Sequence, residues 1–361
     1  MAEPLKNLYN EAFFELLIQD FQIHHPLFSS TSFRAIIFDK AWPDRELKDR
    51  MRHISLSLHQ LLKLSFPDAM ALFKKVIAER EGFSLERMFF PDYVEVFGQD
   101  HLELSLNALA HFTPYASSEF AIRPFIIRYP TQVLKKMLEW ADAKNFHLRR
   151  LASEGCRPRL PWAMALPDLK KDPNPILPIL EKLKADETDY VRRSVANNLN
   201  DIAKDNPAIT LELAEKWYGK SKNLDWVVKH ACRSLLKQGN TRALILFGFQ
   251  EPSAIRVSKL GVDRNSVNIG EEFTFEFELN NTSKDQSKLR LEYIIDFVKK
   301  SGKTSPKVFQ ITENTYVPGV HQFAKKQSFK DLTTRKHYPG LHCLRIVVNG
   351  AEKASISFQL K

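Results

Sequence analysis

FHLRRLAS, residues 146–153, returns as DYVRRSVA at 189–196 and as DWVVKHAC at 225–232. Aligned, the segments place Arg150, Arg193 and Lys229 in register, at offsets of 43 and 36 residues. An aromatic or histidine, then branched apolar residues, a basic pair and a small residue, repeated at that spacing, fit the inner helix of a HEAT-like helical pair. Such a unit buries one helix face against its neighbours and lines up the same positions of successive repeats along one concave surface. Arg149, Arg150, Arg192, Arg193 and Lys229 are therefore expected to form a cationic stripe, a spacing that suits a phosphate backbone better than a single small anion. For any one of them alone, a solvated helix face or an ion pair with Glu187 or Asp189 explains the charge as well.

The helical pattern extends outward from these segments, from residue 4 to about 246. Apolar residues recur three and four apart in LYNEAFFELLIQDF, DRMRHISLSLHQLLKL and TQVLKKMLEWA, with start signals at Pro67-Asp68 and Ser117-Ser118 and breaks at Pro130, Pro173 and Gly239. Past about residue 250 the period becomes two. Phe273, Phe275, Phe277 and Leu279 alternate with polar residues, as do Leu289, Leu291, Tyr293, Ile295 and Phe297. LHCLRIVV and SISFQL are separated by a segment holding Asn349-Gly350, a favoured hairpin turn. The expected fold is multidomain: an all-α HEAT-like solenoid over 1–248, then an all-β immunoglobulin-like sandwich over 251–361, without the Cys…Trp…Cys signature of antibody domains.

The chain has 361 residues and a formal net charge of +10, which favours an anionic partner without proving one. Residues 251–361 carry 18 Lys/Arg against 12 Asp/Glu, so the smaller domain holds +6 of that charge. Lys299, Lys300 and Lys303 cluster after one strand. Lysines on sheet edges also deter strand-to-strand association, and that explanation stays open. No apolar run approaches a membrane span and the N-terminal residues lack a signal-peptide pattern, so a cytoplasmic protein with no membrane partner is expected. Cys156, Cys232 and Cys343 are far apart, which supports neither a disulfide framework nor a zinc site. Neither a metal nor a cofactor is expected. The chain holds no G-x-S-x-G, H-E-x-x-H or phosphate-loop sequence, which weakens other enzyme classes.

Two carboxylates stand out. NFHLRRLASEGCRPRLPWAM, residues 145–164, sets Arg149, Arg150, Arg157 and Arg159 around Glu154 and closes on Trp162, and these arginines are expected to hold phosphates. Glu154 precedes Gly155 at the expected helix end, where the dipole opposes an anion, and an i,i+4 bridge from Arg150 offsets that by only about 0.2–0.5 kcal/mol. Glu119, in YASSEFAIRPFIIRYP (115–130), is expected in the first turn of a helix capped by Ser117 or Ser118, where a negative charge is favoured. Trp162 is either an aromatic at a binding site or a core residue under the proline-rich turn; Trp217 and Trp226 are read as packing.

RRLASEGCRPRLPWAM, SSEFAIRPFI, the helical repeats and the appended sandwich together resemble the AlkC branch of the DNA alkylation repair glycosylases, relatives of the AlkD type. The resemblance covers nearly the whole chain. It implies hydrolysis of the N-glycosidic bond of cationic alkylated bases, 3-methyladenine and 3-methylcytosine, in double-stranded DNA during base excision repair. It further implies Glu119 and Glu154 as the catalytic acids, Trp162 as the aromatic at the lesion, a monomer, and a sandwich that clamps DNA. The AlkD type has an aspartate where Glu119 stands. A non-enzymatic HEAT-like scaffold, binding DNA or a protein, is the alternative; it shares the repeats and the cations but has no need of the two glutamates.

Overall fold

The computed structural model describes residues 3–250, 252–332 and 335–361. Met1 and Glu251, the first residues of the two expected domains, lie outside them. The chain folds into two compact units, Met1–Thr210 with Trp217–Ala231, and Leu211–Lys216 with Cys232–Lys361.

The first unit is helical. The three repeated segments fall on three helices, Phe146–Gly155, Asp189–Asp205 and Lys222–Ala231, packed side by side in that order; the first two segments open their helices and the third closes its own. Asn145 caps the first by accepting from the His147 N–H at 2.8 Å. Small residues let the first two helices approach: Ser153 Oγ meets Ser194 Oγ at 2.7 Å, and Asn198 donates to the Ser153 carbonyl at 2.8 Å. Nearer the N-terminus the core is aromatic, with Phe14, Phe21, Phe33, Phe73, Phe89 and Phe90 at most 1% exposed. Pro130 opens the helix Pro130–Trp140, where its missing N–H costs nothing. The segment expected as the first turn of a helix at Ser117 is instead a turn. The helix begins at Arg123, and the Ser117 hydroxyl is held by Glu119 and Arg150.

The second unit contains a sandwich of β1 (Ile255–Val262), β2 (Ser266–Val267), β3 (Glu272–Asn281), β4 (Ser287–Val298), β5 (Thr304–Tyr316), β6 (Gly319–Ser328), β7 (Gly340–Val348) and β8 (Ala351–Leu360). One sheet runs β1-β3-β6 and the other β2-β8-β7-β4-β5. The alternating residues Phe273, Phe275, Phe277 and Leu279 face Leu289, Leu291, Tyr293 and Ile295 across one core. Asn349 and Gly350, with φ of 45° and 79°, make the β7–β8 turn. The helices Arg233–Lys237 and Thr241–Leu246 cluster with these strands. A Cβ on Gly350 would lie 2.8 Å from Gly239 Cα, so the turn and the helix end meet backbone to backbone.

Candidate active site

Glu119, Glu154 and their neighbours form one alternating chain of charge. Arg150 Nη1 bonds the Glu119 carboxylate, and its Nη2 lies 3.4 Å from Glu154 Oε1. Arg157 donates to Glu154 Oε1 at 2.7 Å and to Asp201 Oδ2 at 2.8 Å. Glu154, Arg157 and Asp201 are buried, at 5%, 7% and 1% exposure. Burial alone would lower the Arg150 pKa, but Glu154 and Glu119 outweigh it and hold the guanidinium above its ordinary value. Glu154 does sit in the last turn of its helix, and the two arginines supply what the helix dipole denies it.

Above this chain lies a pocket of about 240 Å³, walled by Tyr9, Phe83, Phe120, Trp162 and Tyr190, with Glu119, Arg150 and Lys48 as its charged groups. Glu154 does not line it. Tyr190 stacks under the Arg150 guanidinium, 4.9 Å from ring centroid to Cζ. Trp162 is 66% exposed, so it is not the core residue that one expectation allowed. Its backbone is left-handed, with φ of 62°, a conformation that costs a non-glycine residue about 1–2 kcal/mol. Behind the pocket, Arg123 is fully buried and donates to the carbonyls of Gly155, Arg157 and Met164 at 3.0, 2.8 and 2.7 Å. Burial pushes its pKa down to about 10, which leaves it charged at neutral pH.

The expected stripe of open cations takes a different form. The first arginine of each pair fastens the fold: Arg149 bonds Asp186 at 2.6 Å and the Ala143 and Lys144 carbonyls, and Arg192 bonds the Asp186 and Glu187 carbonyls. The second arginine faces the aromatic of the next repeat: Arg150 lies over Tyr190, and Arg193 over Trp226 at 5.4 Å. Arg149 and Arg157 are buried in ion pairs, which corrects the expectation that they stand open to phosphates. Arg159 pairs with Asp205 at 2.6 Å and Arg193 with Asp189 at 2.8 Å, both with exposed side chains. Lys229 follows in the third repeat helix, Lys222–Ala231. Trp217 is buried as packing, whereas Trp226 is 37% exposed and stacks on His230. In the sandwich, Lys299, Lys300 and Lys303 stand exposed around the β4–β5 turn.

Sequence reasoning missed Tyr190, Phe120, Lys48 and Asp201. Tyr190 had a signal, since it occupies the aromatic position of a repeat already aligned, one place after Asp189. Asp201 and Lys48 had none, because each reaches its partner from a distant helix. Among the described residues no group of three or more His, Cys, Asp or Glu side chains is arranged to hold a metal ion, and no helix is long and apolar enough to cross a membrane.

A helical-repeat unit with a carboxylate at an aromatic pocket, followed by an immunoglobulin-like sandwich, is the architecture of a DNA alkylation repair glycosylase. Residues 115–235 match the family described as DNA alkylation repair enzyme, and 256–361 match the C-terminal Ig-like domain of the uncharacterised protein YhaZ. The chain is 44% identical to the uncharacterised YhaZ of Bacillus subtilis strain 168 over 357 residues, 99% of each chain. It is 37% identical to the Pseudomonas fluorescens alkylpurine DNA glycosylase AlkC, solved bound to DNA containing an abasic site analog; the match covers 99% of this chain and 100% of that one, with a TM-score of 0.94. The chain belongs to the AlkC-type family of DNA alkylation repair glycosylases.

Proposed function

We propose that this protein hydrolyses the N-glycosidic bond of cationic alkylated bases, 3-methyladenine and 3-methylcytosine, in duplex DNA, opening base excision repair. The observation that carries the proposal is the Glu119 carboxylate in the wall of a pocket that Tyr190, Phe120 and Trp162 also line. Breaking the bond develops positive charge on the sugar, and a fixed carboxylate stabilises that charge or orients the attacking water. Aromatic faces favour a cation by about 0.5–2 kcal/mol according to desolvation. The abasic site analog held by the Pseudomonas relative corresponds to DNA that has lost its base.

In this proposal Glu119 is the catalytic residue, and Trp162 contacts the lesion. Glu154 lies behind Arg150 and acts through it, holding the guanidinium that borders Glu119. Arg159 and Arg193 offer exposed cations to the phosphates, with Lys299, Lys300 and Lys303 as a second DNA-contacting surface on the sandwich.

The test is release of free base from methylated duplex DNA under single-turnover conditions. Glu119→Gln is expected to lose at least about a hundredfold in rate, the scale of removing one charge-stabilising group, while DNA affinity holds. Glu154→Gln is expected to lose less. Undiminished release by Glu119→Gln would remove that residue from the chemistry.

A further inference from the structure

Trp162 poses a mechanical problem. Its backbone is left-handed, which a tryptophan rarely adopts, yet its ring is two-thirds exposed, so packing of the ring does not hold the conformation. Two cations from separate helices grip the loop instead. Lys48, in the helix Leu47–Leu62, donates Nζ to the Trp162 carbonyl at 2.7 Å while lying 5.0 Å from the centroid of the Phe120 ring. Arg123, from the helix Arg123–Arg128, takes the carbonyls of Gly155 and Arg157 at one end of the loop and Met164 at the other. One guanidinium thus closes the base of the loop and one ammonium fixes its tip. Bonds within the loop, Ala163 N–H to Leu160 O at 3.3 Å and Leu166 N–H to Pro158 O at 3.1 Å, do not reach the Trp162 carbonyl.

A lysine at this pocket is otherwise unexpected, since a site that receives a cationic base gains nothing from a further positive charge. Its direction explains it: Nζ is engaged by the Trp162 carbonyl and the Phe120 face, two aromatic residues of the pocket wall. We propose that Lys48 and Arg123 are positioning residues that hold Trp162 in its left-handed conformation, so that the indole is set against the pocket before DNA arrives. Pre-organisation of this kind raises the rate without new contacts to the substrate. The importance of Trp162 to the reaction rests on the glycosylase proposal; the holding of the loop does not.

The experiment separates the two. The protein is labelled with 5-fluorotryptophan, and the Trp162 fluorine signal is assigned by its loss in Trp162→Phe. In DNA-free Lys48→Met that signal is expected to shift and broaden while the other four tryptophan signals stay in place, and Lys48→Arg, which keeps a donor, is expected to restore it. An unmoved Trp162 signal in Lys48→Met overturns the proposal, whatever the enzyme's activity. In single-turnover excision at saturating protein, Lys48→Met is expected to cost about tenfold in an otherwise native chain and under twofold in a Trp162→Ala background. The same factor in both backgrounds would mean that Lys48 acts on DNA directly, and would overturn it too. Arg123→Met removes the partner of three carbonyls; where thermal unfolding shows a folded chain, its DNA-free Trp162 fluorine signal is expected to shift too, and an unmoved signal would overturn Arg123's part in the proposal.

Discussion

Arg157 Nη1 lies 2.7 Å from Glu154 Oε1, and both side chains are more than nine-tenths buried. The same guanidinium reaches Asp201, so it serves two carboxylates that water cannot solvate. Among the described residues, Arg157→Met leaves Glu154 with Arg150 alone at 3.4 Å and Asp201 with Lys204 alone at 3.0 Å, and is expected to cost up to about 3–5 kcal/mol of folding stability, measured by urea unfolding. In a folded Arg157→Gln variant, which removes the charge, the salt slope of DNA binding should stay at its native value. A slope reduced by about one would make Arg157 a phosphate contact after all.

The helical repeats were legible because a solenoid writes its period into the chain: FHLRRLAS, DYVRRSVA and DWVVKHAC fall on neighbouring helices. The sandwich was legible because alternation at Phe273–Leu279 and Leu289–Phe297 states which face is buried. Glu119 and Glu154 were singled out, and the fold brings both onto Arg150. What the sequence hid was direction. Arg149 and Arg150 are adjacent and chemically identical, yet a helix turns them about 100° apart, one toward Asp186 and the other toward Tyr190. The difference is set by Asp186 and Tyr190, some 40 residues away, and no local pattern reports it. Trp162 was hidden for a similar reason, since its exposure depends on the carbonyls that Lys48 and Arg123 hold.

The helices just before the strands fasten the sandwich. Phe247 and Phe249 are at most 2% exposed, Lys288 donates to the Phe247 carbonyl at 2.8 Å, and Asn349 donates to the Gln250 carbonyl at 2.9 Å. A fragment spanning 232–361 is therefore expected to melt higher than one spanning 251–361. Loss of about 2 kcal/mol corresponds to roughly 8 °C in a domain of this size. Equal midpoints by differential scanning calorimetry would show that these contacts contribute nothing.

Acid should weaken the sandwich. Burial holds the His337 and His342 imidazoles below their ordinary value, and Arg335 adds to the effect at His337. An unfolded chain takes up these protons below about pH 6.5, whereas the folded one resists them, so their contribution is whole above that pH and is lost as pH falls toward the lower folded values. Thermal midpoints of the 232–361 fragment are expected to drop between pH 7.5 and pH 5. His337→Phe, whose ring can pack on Phe297 and Phe329, should shrink that drop. An unchanged drop would place the titration elsewhere.

Lesion choice follows from the charge of the leaving base. A base that already carries a positive charge departs neutral, so its bond is weak and no proton need be delivered. A neutral base such as uracil or hypoxanthine needs a general acid or an anion-stabilising group where it leaves. The pocket offers a carboxylate and aromatic faces, which favour a cation, and an arginine, whose guanidinium stays charged and donates no proton to a leaving group. Lys48 is the one group there able to give up a proton among the pocket's charged side chains, and its Nζ is occupied by the Trp162 carbonyl. Each tenfold preference needs about 1.4 kcal/mol of differential transition-state stabilisation, so a single charge contact accounts for one or two such factors and the intrinsic weakness of the cationic bond supplies more. Duplexes carrying 3-methyladenine, 3-methylcytosine, uracil or hypoxanthine at one position are expected to separate into two groups in single-turnover base release, the cationic pair faster by at least about a hundredfold. Comparable rates on the neutral bases would mean that a donor such as Lys48, Tyr9 or Tyr190 protonates the leaving base, and would refute the electrostatic account of the site.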